Sequence, residues 1–338
     1  MKKELLLKNS SSDRIAPMNL TEADEKLFGH ELSSMQNDVY MYSFKNMTIK
    51  FPLFYENNTY NSVIASYVYK DISRAKLTVA RVAKKLRKFT FKKERLKGKY
   101  LWITDTLSNG YFHWLADVLP KLVMLKEEYK SKVLLQSKYK EFSYVEKSLN
   151  YLGYEVHYFN EVDSVEVEEL LFIPNIANSG SYYEDSMNLL REEFYKYFKF
   201  NVSKCKNEKV YISRAKATRR KIKNEEEIET ILKKYEFNIY YFEELSFEEQ
   251  VKLMLNTSHL ISLHGAGLTN MLFMPSNSKV LEIRSQEDDH NNCYFALTSA
   301  MDHNYYYTLA KNETNNFHSG DVIVDLEKFE KAIRYILL

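Results

Sequence analysis

A glycine-bearing turn in the last third of the chain carries the residues best suited to binding an anion. It consists of His264, Gly265, Ala266, Gly267, Leu268, Thr269 and Asn270, and it follows an apolar stretch. Glycines between a strand and a helix remove Cβ atoms, so backbone N–H groups can approach an anion, and the helix N-terminus adds partial positive charge. The turn would suit a diphosphate, with His264 or Thr269 as further donors. A plain tight connection is the alternative.

Other residues of the second half add groups that a nucleotide would need. Glu282 lies near the end of the next apolar stretch, Lys279 to Ile283, where a carboxylate can accept both ribose hydroxyls. Arg214 leaves the end of an earlier strand, and Arg219 follows it in a basic loop. Guanidinium groups match phosphate with paired hydrogen bonds, so both arginines are candidate diphosphate ligands. For Arg219 and its neighbour Arg220, a solvated loop is an equal alternative.

The first half contains a candidate general base. His113 and Asp117 are four residues apart, so on a helix they share one face and can touch. A histidine oriented by a carboxylate can accept a proton near neutral pH. The alternative is a buried His–Asp pair that only stabilises the helix.

Composition excludes several other classes of function. The net charge is +2, from 48 basic and 46 acidic residues, which gives no reason to expect nucleic acid as a partner. Two cysteines, Cys205 and Cys293, suggest free thiols in a reducing compartment. The sequence has no Asp-x-Asp, and we expect neither a metal nor another cofactor. No apolar run approaches the roughly 18 residues of a membrane span, so we expect a cytoplasmic protein.

The elements that position these residues alternate between strand and helix. Such alternation predicts parallel sheets covered on both faces, hence an α/β protein. The length of 338 residues suits two domains, which we place at 1–203 and 204–338, with the last helix a candidate to pack back on the first domain. A strand is expected at Val63 to Tyr69.

A basic stretch runs from Arg74 to Lys99, where apolar residues recur at helical spacing. It could lie on an anionic membrane surface as a peripheral contact at the inner face, or hold an acidic glycan. A solvated helix with one basic face is the alternative.

Three segments together resemble glycosyltransferase family 61. Tyr111 to Pro120 is similar to its YxHWxxDxLP block, and Tyr211 to Arg220 is similar to its YISRxxAxxR block. His264 to Phe273, with Leu281-Glu282-Ile283, resembles its HGAGLTNMLF…VxEI block. The blocks follow the family's order over about residues 100–290, whereas residues 1–95 match none.

The resemblance implies a GT-B-type fold, in which two Rossmann-like domains face each other across a cleft. It also implies inverting transfer of a hexose or pentose from a nucleotide sugar, here expected to be a UDP-sugar. We expect a bacterial member that builds capsule or another surface polysaccharide on a glycan or lipid-linked acceptor, without a metal. The alternative is a catalytically inactive nucleotide-binding or scaffold subunit of a polysaccharide assembly system.

Overall fold

The computed structural model describes residues 1–68, 92–176, 180–288, 291–313 and 320–338. The chain divides into two compact units. Unit 1 comprises Met1–Asn9 with Asn37–Ala177, and unit 2 comprises Ser10–Gln36 with Asn178–Leu338.

The strands and helices of the described residues are numbered in chain order. The strands are β1 Lys2–Leu7, β2 Ser10–Asp13, β3 Ser33–Gln36, β4 Val39–Lys50, β5 Leu53–Glu56, β6 Thr59–Tyr60, β7 Lys93–Trp102, β8 Lys132–Gln136, β9 Val156–Phe159, β10 Ser164–Phe172, β11 Glu208–Ile212, β12 Asn238–Tyr240, β13 Thr257–Leu263, β14 Lys279–Ser285, β15 Asn304–Asn312 and β16 Val322–Val324. The α-helices are α1 Glu25–Phe28, α2 Ser62–Val68, α3 Tyr111–His113, α4 Leu119–Val123, α5 Ser143–Tyr151, α6 Glu184–Phe198, α7 Glu225–Lys234, α8 Phe247–Met254, α9 Cys293–Ala300 and α10 Leu326–Leu337.

Unit 1 is built on an eight-stranded mixed sheet. Its order is β6-β5-β4-β10-β7-β8-β9, with β1 beside β4. The strands β10, β7, β8 and β9 are mutually parallel, whereas β4 pairs antiparallel with β10. Trp102 and Phe54 meet edge to face in the core of this unit, with centroids 4.8 Å apart. The parallel half of the sheet carries the loops that lead into α3 and away from β10.

Unit 2 is built on a six-stranded sheet of order β12-β11-β13-β14-β15-β16. Every pair except β15–β16 is parallel. Residues that follow β11, β13 and β14 therefore emerge at one carboxyl edge, where open α/β sheets bind ligands. The predicted α/β class is confirmed for both units, and the GT-B-type arrangement stays a prediction.

The division of the chain differs from the predicted boundary after residue 203. Helix α6 belongs to unit 2, since Phe194 packs its ring against Phe273 and Phe247. Residues 10–36 also belong to unit 2, where Phe28 contacts Phe295 at 5.3 Å between centroids. The last helix, α10, buries its apolar face in the core of unit 2.

Two local predictions in the first hundred residues need correction. Val63 to Tyr69 was expected to be a strand, but residues 62–68 form helix α2. Asn61 accepts a hydrogen bond from the Ile64 amide at 3.0 Å, which starts a helix and outweighs the β-branched run. Of the expected basic helix at 74–99, residues 93–99 are part of strand β7, while 69–91 lie outside the described residues.

Across the described ranges, no helix is long and apolar enough to cross a bilayer.

Candidate active site

The loop after β11 brings the Arg214 side chain back across its own backbone. The guanidinium donates from Nε to the carbonyl of Arg220 at 3.0 Å and from Nη2 to the carbonyl of Arg219 at 2.9 Å. Burial, followed by the nearby charge of Arg220, lowers the pKa of Arg214. Two cations held this close favour an anion between or beside them.

Arg220 is a further candidate diphosphate ligand. The sequence alone did not single it out, because a solvated loop was an equal alternative for this residue. Its backbone is left-handed, at φ 57°, and its side chain is half-buried, with an Nε that has no hydrogen-bond partner among the described residues. Within the part of the chain that the structure describes, neither Arg214 nor Arg220 forms an ion pair. A left-handed arginine in a basic loop has no sequence signal, so only the structure distinguishes it from Arg219. The Arg219 side chain is exposed, and its carbonyl accepts from Arg214.

A buried glutamate fixes the start of this loop. Glu225, the first residue of α7, accepts from the Tyr211 hydroxyl at 2.7 Å and from the Ser213 hydroxyl at 2.7 Å. It also accepts from the Arg214 amide at 3.3 Å. The Glu225 carboxylate thus connects the end of β11, the loop and the start of α7. These bonds fix the position of the Arg214 backbone.

The glycine-bearing turn after β13 packs directly on Arg214. A Cβ placed on Gly265 would collide with Arg214 Nη1, and one placed on Gly267 would lie 3.3 Å from Ile212 Cγ2. Gly265 is therefore needed for close approach of the guanidinium, its φ of 164° being ordinary extended backbone. A 3₁₀ helix, Ala266–Phe273, begins at this point, and the first amides of a helix lack acceptors within the helix.

Three predicted ligands of the turn have side chains that the structure buries. Leu268, Thr269 and Asn270 are each fully buried, and Asn270 Nδ2 donates to the Gly267 carbonyl at 3.0 Å. Leu268 and Asn270 thus hold the turn against the core, and the role of the buried Thr269 hydroxyl as a ligand donor stays a prediction. Their backbone remains part of the turn.

His264 and Glu282 form a pair at the carboxyl edge. His264 Nδ1 hydrogen-bonds Glu282 Oε1, and the Tyr305 hydroxyl donates to Oε2 at 2.6 Å. Burial alone would raise the pKa of Glu282, but His264, Arg284 and Tyr305 together lower it. Glu282 has no exposed surface and both oxygens are engaged, so the structure gives a ribose no access to it. This corrects the expected ribose role.

His264 lines a small cavity together with Arg220. The cavity is lined by polar residues that include Arg220, Asp288 and Asn291, and by Gly320. Asn291 Nδ2 lies 3.1 Å from His264 Nε2, and the Tyr294 ring packs against the imidazole at 5.0 Å between centroids. Asn291 and Tyr294 had no recognisable signal in the sequence, because they lie beyond the third block in a loop and a helix.

The predicted base lies in unit 1, in a wide helical turn. His113 Nδ1 and Asp117 Oδ2 are 2.7 Å apart, as the spacing predicted. Asp117 is buried, while 28% of the His113 side chain is exposed. Residues 114–118 form a π-helix, in which the Leu119 amide donates to the Trp114 carbonyl. Pro120 has no N–H to give the Ala116 carbonyl, which favours this wider turn.

A second polar cluster follows β7 in the same unit. Asp105 accepts from the Ser108 hydroxyl at 2.7 Å and from Asn175 Nδ2 at 2.7 Å. Burial raises the pKa of Asp105, but the charge of Lys121 and these hydrogen bonds lower it overall. Lys121 is fully buried and donates to the Ile103 carbonyl at 2.6 Å. Sequence reasoning missed the cluster because its members lie far apart in the chain.

The two units therefore offer different chemistry. Unit 2 presents two neighbouring arginines, backbone amides and an imidazole, which together suit a diphosphate. Unit 1 presents an imidazole oriented by a carboxylate, which suits proton removal. In the described ranges, no three His, Cys, Asp or Glu side chains are placed to hold a metal ion.

Comparison with known proteins finds one family model that covers His113, Asp117, Arg214, Arg220 and the glycine-bearing turn, and that ends one residue before Glu282. The model of "Glycosyltransferase 61" matches residues 111–281. The EGF domain-specific O-linked N-acetylglucosamine transferase of Mus musculus is 39% identical over 83 residues, 23% of this chain and 15% of the mouse protein. The enzyme of that name from Rattus norvegicus is 37% identical over 97 residues, 27% of this chain and 18% of its own length. The Drosophila melanogaster protein is 38% identical over 87 residues, 25% of this chain and 16% of its own. The chain thus spans less than a fifth of these relatives.

Proposed function

We propose, from the fact that this chain belongs to the glycosyltransferase 61 family, that it transfers a sugar from a nucleotide diphosphate donor with inversion at the anomeric carbon. The observation that carries the proposal is Arg214 packed on the glycine turn, with Arg220 next to it and lining the same small cavity as His264. Such a site compensates the charge of a departing nucleoside diphosphate.

The transfer itself needs one proton acceptor and one leaving group. The acceptor hydroxyl gives its proton to Nε2 of His113, since Nδ1 is engaged by Asp117. The acceptor oxygen forms a bond to the anomeric carbon from the face opposite the diphosphate. The bond from that carbon to the phosphate oxygen breaks, and its electron pair leaves with the nucleotide. Arg214, Arg220 and the amides of the turn stabilise the negative charge that develops there.

The donor and acceptor form the finer part of the proposal. UDP is the expected nucleotide, and the names of the relatives make N-acetylglucosamine the first sugar to test. A glycan or a lipid-linked oligosaccharide in bacterial surface polysaccharide synthesis is the expected acceptor. The GT-B-type arrangement and the cytoplasmic location belong to the same proposal. So does peripheral membrane contact through residues 74–99, which co-sedimentation with anionic vesicles would test.

The direct test separates chemistry from nucleotide binding. We expect His113→Ala to lower UDP release from a panel of UDP-sugars by at least about 100-fold, because it removes the general base. UDP affinity, measured by calorimetry, should stay within twofold of wild type. His157→Ala is the matched control, since His157 is also a part-exposed imidazole paired with a carboxylate, Glu94, at 3.2 Å.

Two outcomes would contradict parts of this proposal. Full turnover by His113→Ala would remove His113 as the base. Wild-type chain that binds UDP but turns over no UDP-sugar would favour the inactive nucleotide-binding subunit. The assay is run with and without EDTA, and loss of turnover in EDTA would end the expectation of metal-independent transfer.

A further inference from the structure

Glu282 is a fully buried carboxylate for which the proposed transfer has no direct use. It lies in β14, two strands from the edge of the sheet at β16, with no exposed surface. One oxygen is taken by His264 Nδ1 and the other by the Tyr305 hydroxyl at 2.6 Å. A buried charge is costly unless it is paired and hydrogen-bonded, so its retention calls for a reason.

Glu282 has two basic neighbours, His264, which it hydrogen-bonds, and Arg284, whose charge also acts on it. Arg284 lies on the same strand, but its guanidinium bonds Asn292 Oδ1 at 2.7 Å and the Asp288 carbonyl at 2.8 Å. The Arg284 guanidinium also lies 5.0 Å from the centre of the Phe28 ring. Glu282 therefore has His264 as its hydrogen-bonded partner of opposite charge whenever the imidazole is protonated.

The opposite nitrogen of His264 is the one that faces the cavity. Its Nε2 lies 3.1 Å from Asn291 Nδ2, and Arg220 and Asp288 line the same cavity. When the ring is neutral and Nδ1–H donates to Glu282, Nε2 accepts from the Asn291 amide. An anion bound next to Nε2 has no proton to give, so Nε2 must carry a proton and act as the donor. The Glu282 carboxylate supplies the counter-charge that a doubly protonated ring requires.

We propose that Glu282 and Tyr305 are positioning residues that hold the His264 imidazole so that Nε2 donates a hydrogen bond to the diphosphate of the bound nucleotide. This inference rests on the proposed function, since it takes the nucleoside diphosphate as the ligand. In this inference Glu282 does not contact the ribose. It affects nucleotide binding only by orienting His264. Tyr305 keeps Glu282 in place by occupying the oxygen that His264 does not use.

A double-mutant cycle on UDP affinity tests this directly. The variants are Glu282→Gln, His264→Asn and the two combined, measured by calorimetry with UDP. His264→Asn keeps an amide near the position of Nδ1, so Glu282 retains a buried donor while Nε2 is lost. We expect each single variant to weaken UDP binding by about tenfold, as loss of a charged hydrogen bond would. The double variant should be no weaker than His264→Asn alone.

Tyr305→Phe provides a milder perturbation should Glu282→Gln fail to fold. We expect it to weaken UDP binding by about threefold, because Glu282 loses one of its bonds. Tyr307→Phe is its matched control: Tyr307 lies two residues along β15 and donates to Asp24 at 2.7 Å instead. UDP affinity of Tyr307→Phe should stay within twofold of wild type.

The outcomes distinguish this inference from the proposed function. Equal weakening by Glu282→Gln in the wild-type and His264→Asn backgrounds would overturn the positioning role, since Glu282 would then act independently of His264. Equal affinities of Tyr305→Phe and Tyr307→Phe would overturn the part given to Tyr305. Absence of UDP binding by the wild-type chain would overturn the proposed function, and this inference with it.

Discussion

At the scale of single residues, the fit between Gly265 and Arg214 decides whether the anion site can form. A Cβ at residue 265 would occupy the position of Arg214 Nη1, the mobile end of a long side chain. The guanidinium can move away, so the fold tolerates the change while the site does not. Arg214 would lose its bonds to the carbonyls of residues 219 and 220.

We therefore expect Gly265→Ala to weaken UDP binding by about 10- to 100-fold, the effect of losing one charged hydrogen bond. The melting temperature should change little. Gly29→Ala is the matched control, because a Cβ at Gly29 meets no atom within 4 Å. Calorimetry and thermal melting of both variants check this. Unchanged UDP affinity in Gly265→Ala would mean that Arg214 does not bind the nucleotide.

The same residues show what the sequence could reveal about the site. Residue type and spacing were enough to predict the pairing of His113 with Asp117 and the position of Arg214 after a strand. They could not reveal that Glu282 is closed off by Tyr305, because that contact joins residues 23 apart. The role of Arg220 depends on a left-handed backbone, which residue type does not encode.

At the scale of elements, the π turn between α3 and α4 sets the relative direction of His113 and Asp117. Its cause is local, since Pro120 cannot donate to the Ala116 carbonyl. π turns inside α-helices are frequent at functional sites. A helix that regained α geometry here would rotate residues 111–113 relative to the buried Trp114, which is anchored by its bond to Ser148 at 2.9 Å.

We expect Pro120→Ala to restore an amide at residue 120 and to shift the turn toward α geometry. UDP release should fall by about 10- to 100-fold, because a displacement of His113 on the order of 1 Å is costly to catalysis. Stability to urea should be kept or increased, since a proline inside a helix is removed. UDP affinity, measured in parallel, should not change. Wild-type turnover in Pro120→Ala would show that the π turn does not position the base.

Helices are predictable from the sequence where the periodicity of apolar residues and the capping residues indicate the same boundary. Ser246 and Glu249 form a capping box at the start of α8, and the Asp325 side chain caps the start of α10; both are signals carried by adjacent residues of the sequence. Asn224 precedes α7 and is a residue type that commonly caps helices, but its side chain bonds the Val324 backbone at 2.8 Å and 3.0 Å and does not cap α7. Val324 lies in β16, 100 residues further along the chain. No signal in the residues around Asn224 could therefore reveal that its side chain bonds this strand.

At the scale of the whole chain, the alternation of strands and helices was sufficient to predict two α/β units, but their limits were not predictable. Residues 10–36 join unit 2 because Phe28 finds its partners in Phe295, Tyr305 and Tyr307. The periodicity of apolar residues within a short segment does not indicate that it packs on strands nearly 300 residues later in the chain. Long-range packing of this kind is the part of the fold that sequence reasoning cannot reach.

The response of unit 2 to acid follows from two of its histidines. Burial lowers the pKa of His303 to about 3 and, with Lys279 as the next cause, that of His259 to about 4. In the unfolded chain both would take up a proton near pH 6.5. Between pH 6.5 and about 4 the unfolded chain therefore binds more protons, so the free energy of unfolding falls as pH falls. Carboxylates with lowered pKa values, such as Glu282, add to this loss only below about pH 4.5.

We expect His303→Gln to flatten this acid dependence, because its amide can still donate to the Met271 carbonyl, which His303 Nε2 contacts at 3.1 Å. Urea unfolding between pH 7 and 5 should show a smaller loss of stability in the variant than in the wild-type chain. Hydrogen exchange should show the first acid-induced opening in unit 2, where both histidines lie. Equal pH dependence in the two proteins would mean that His303 takes up its proton without unfolding, and that its burial does not limit the stability of unit 2 in acid.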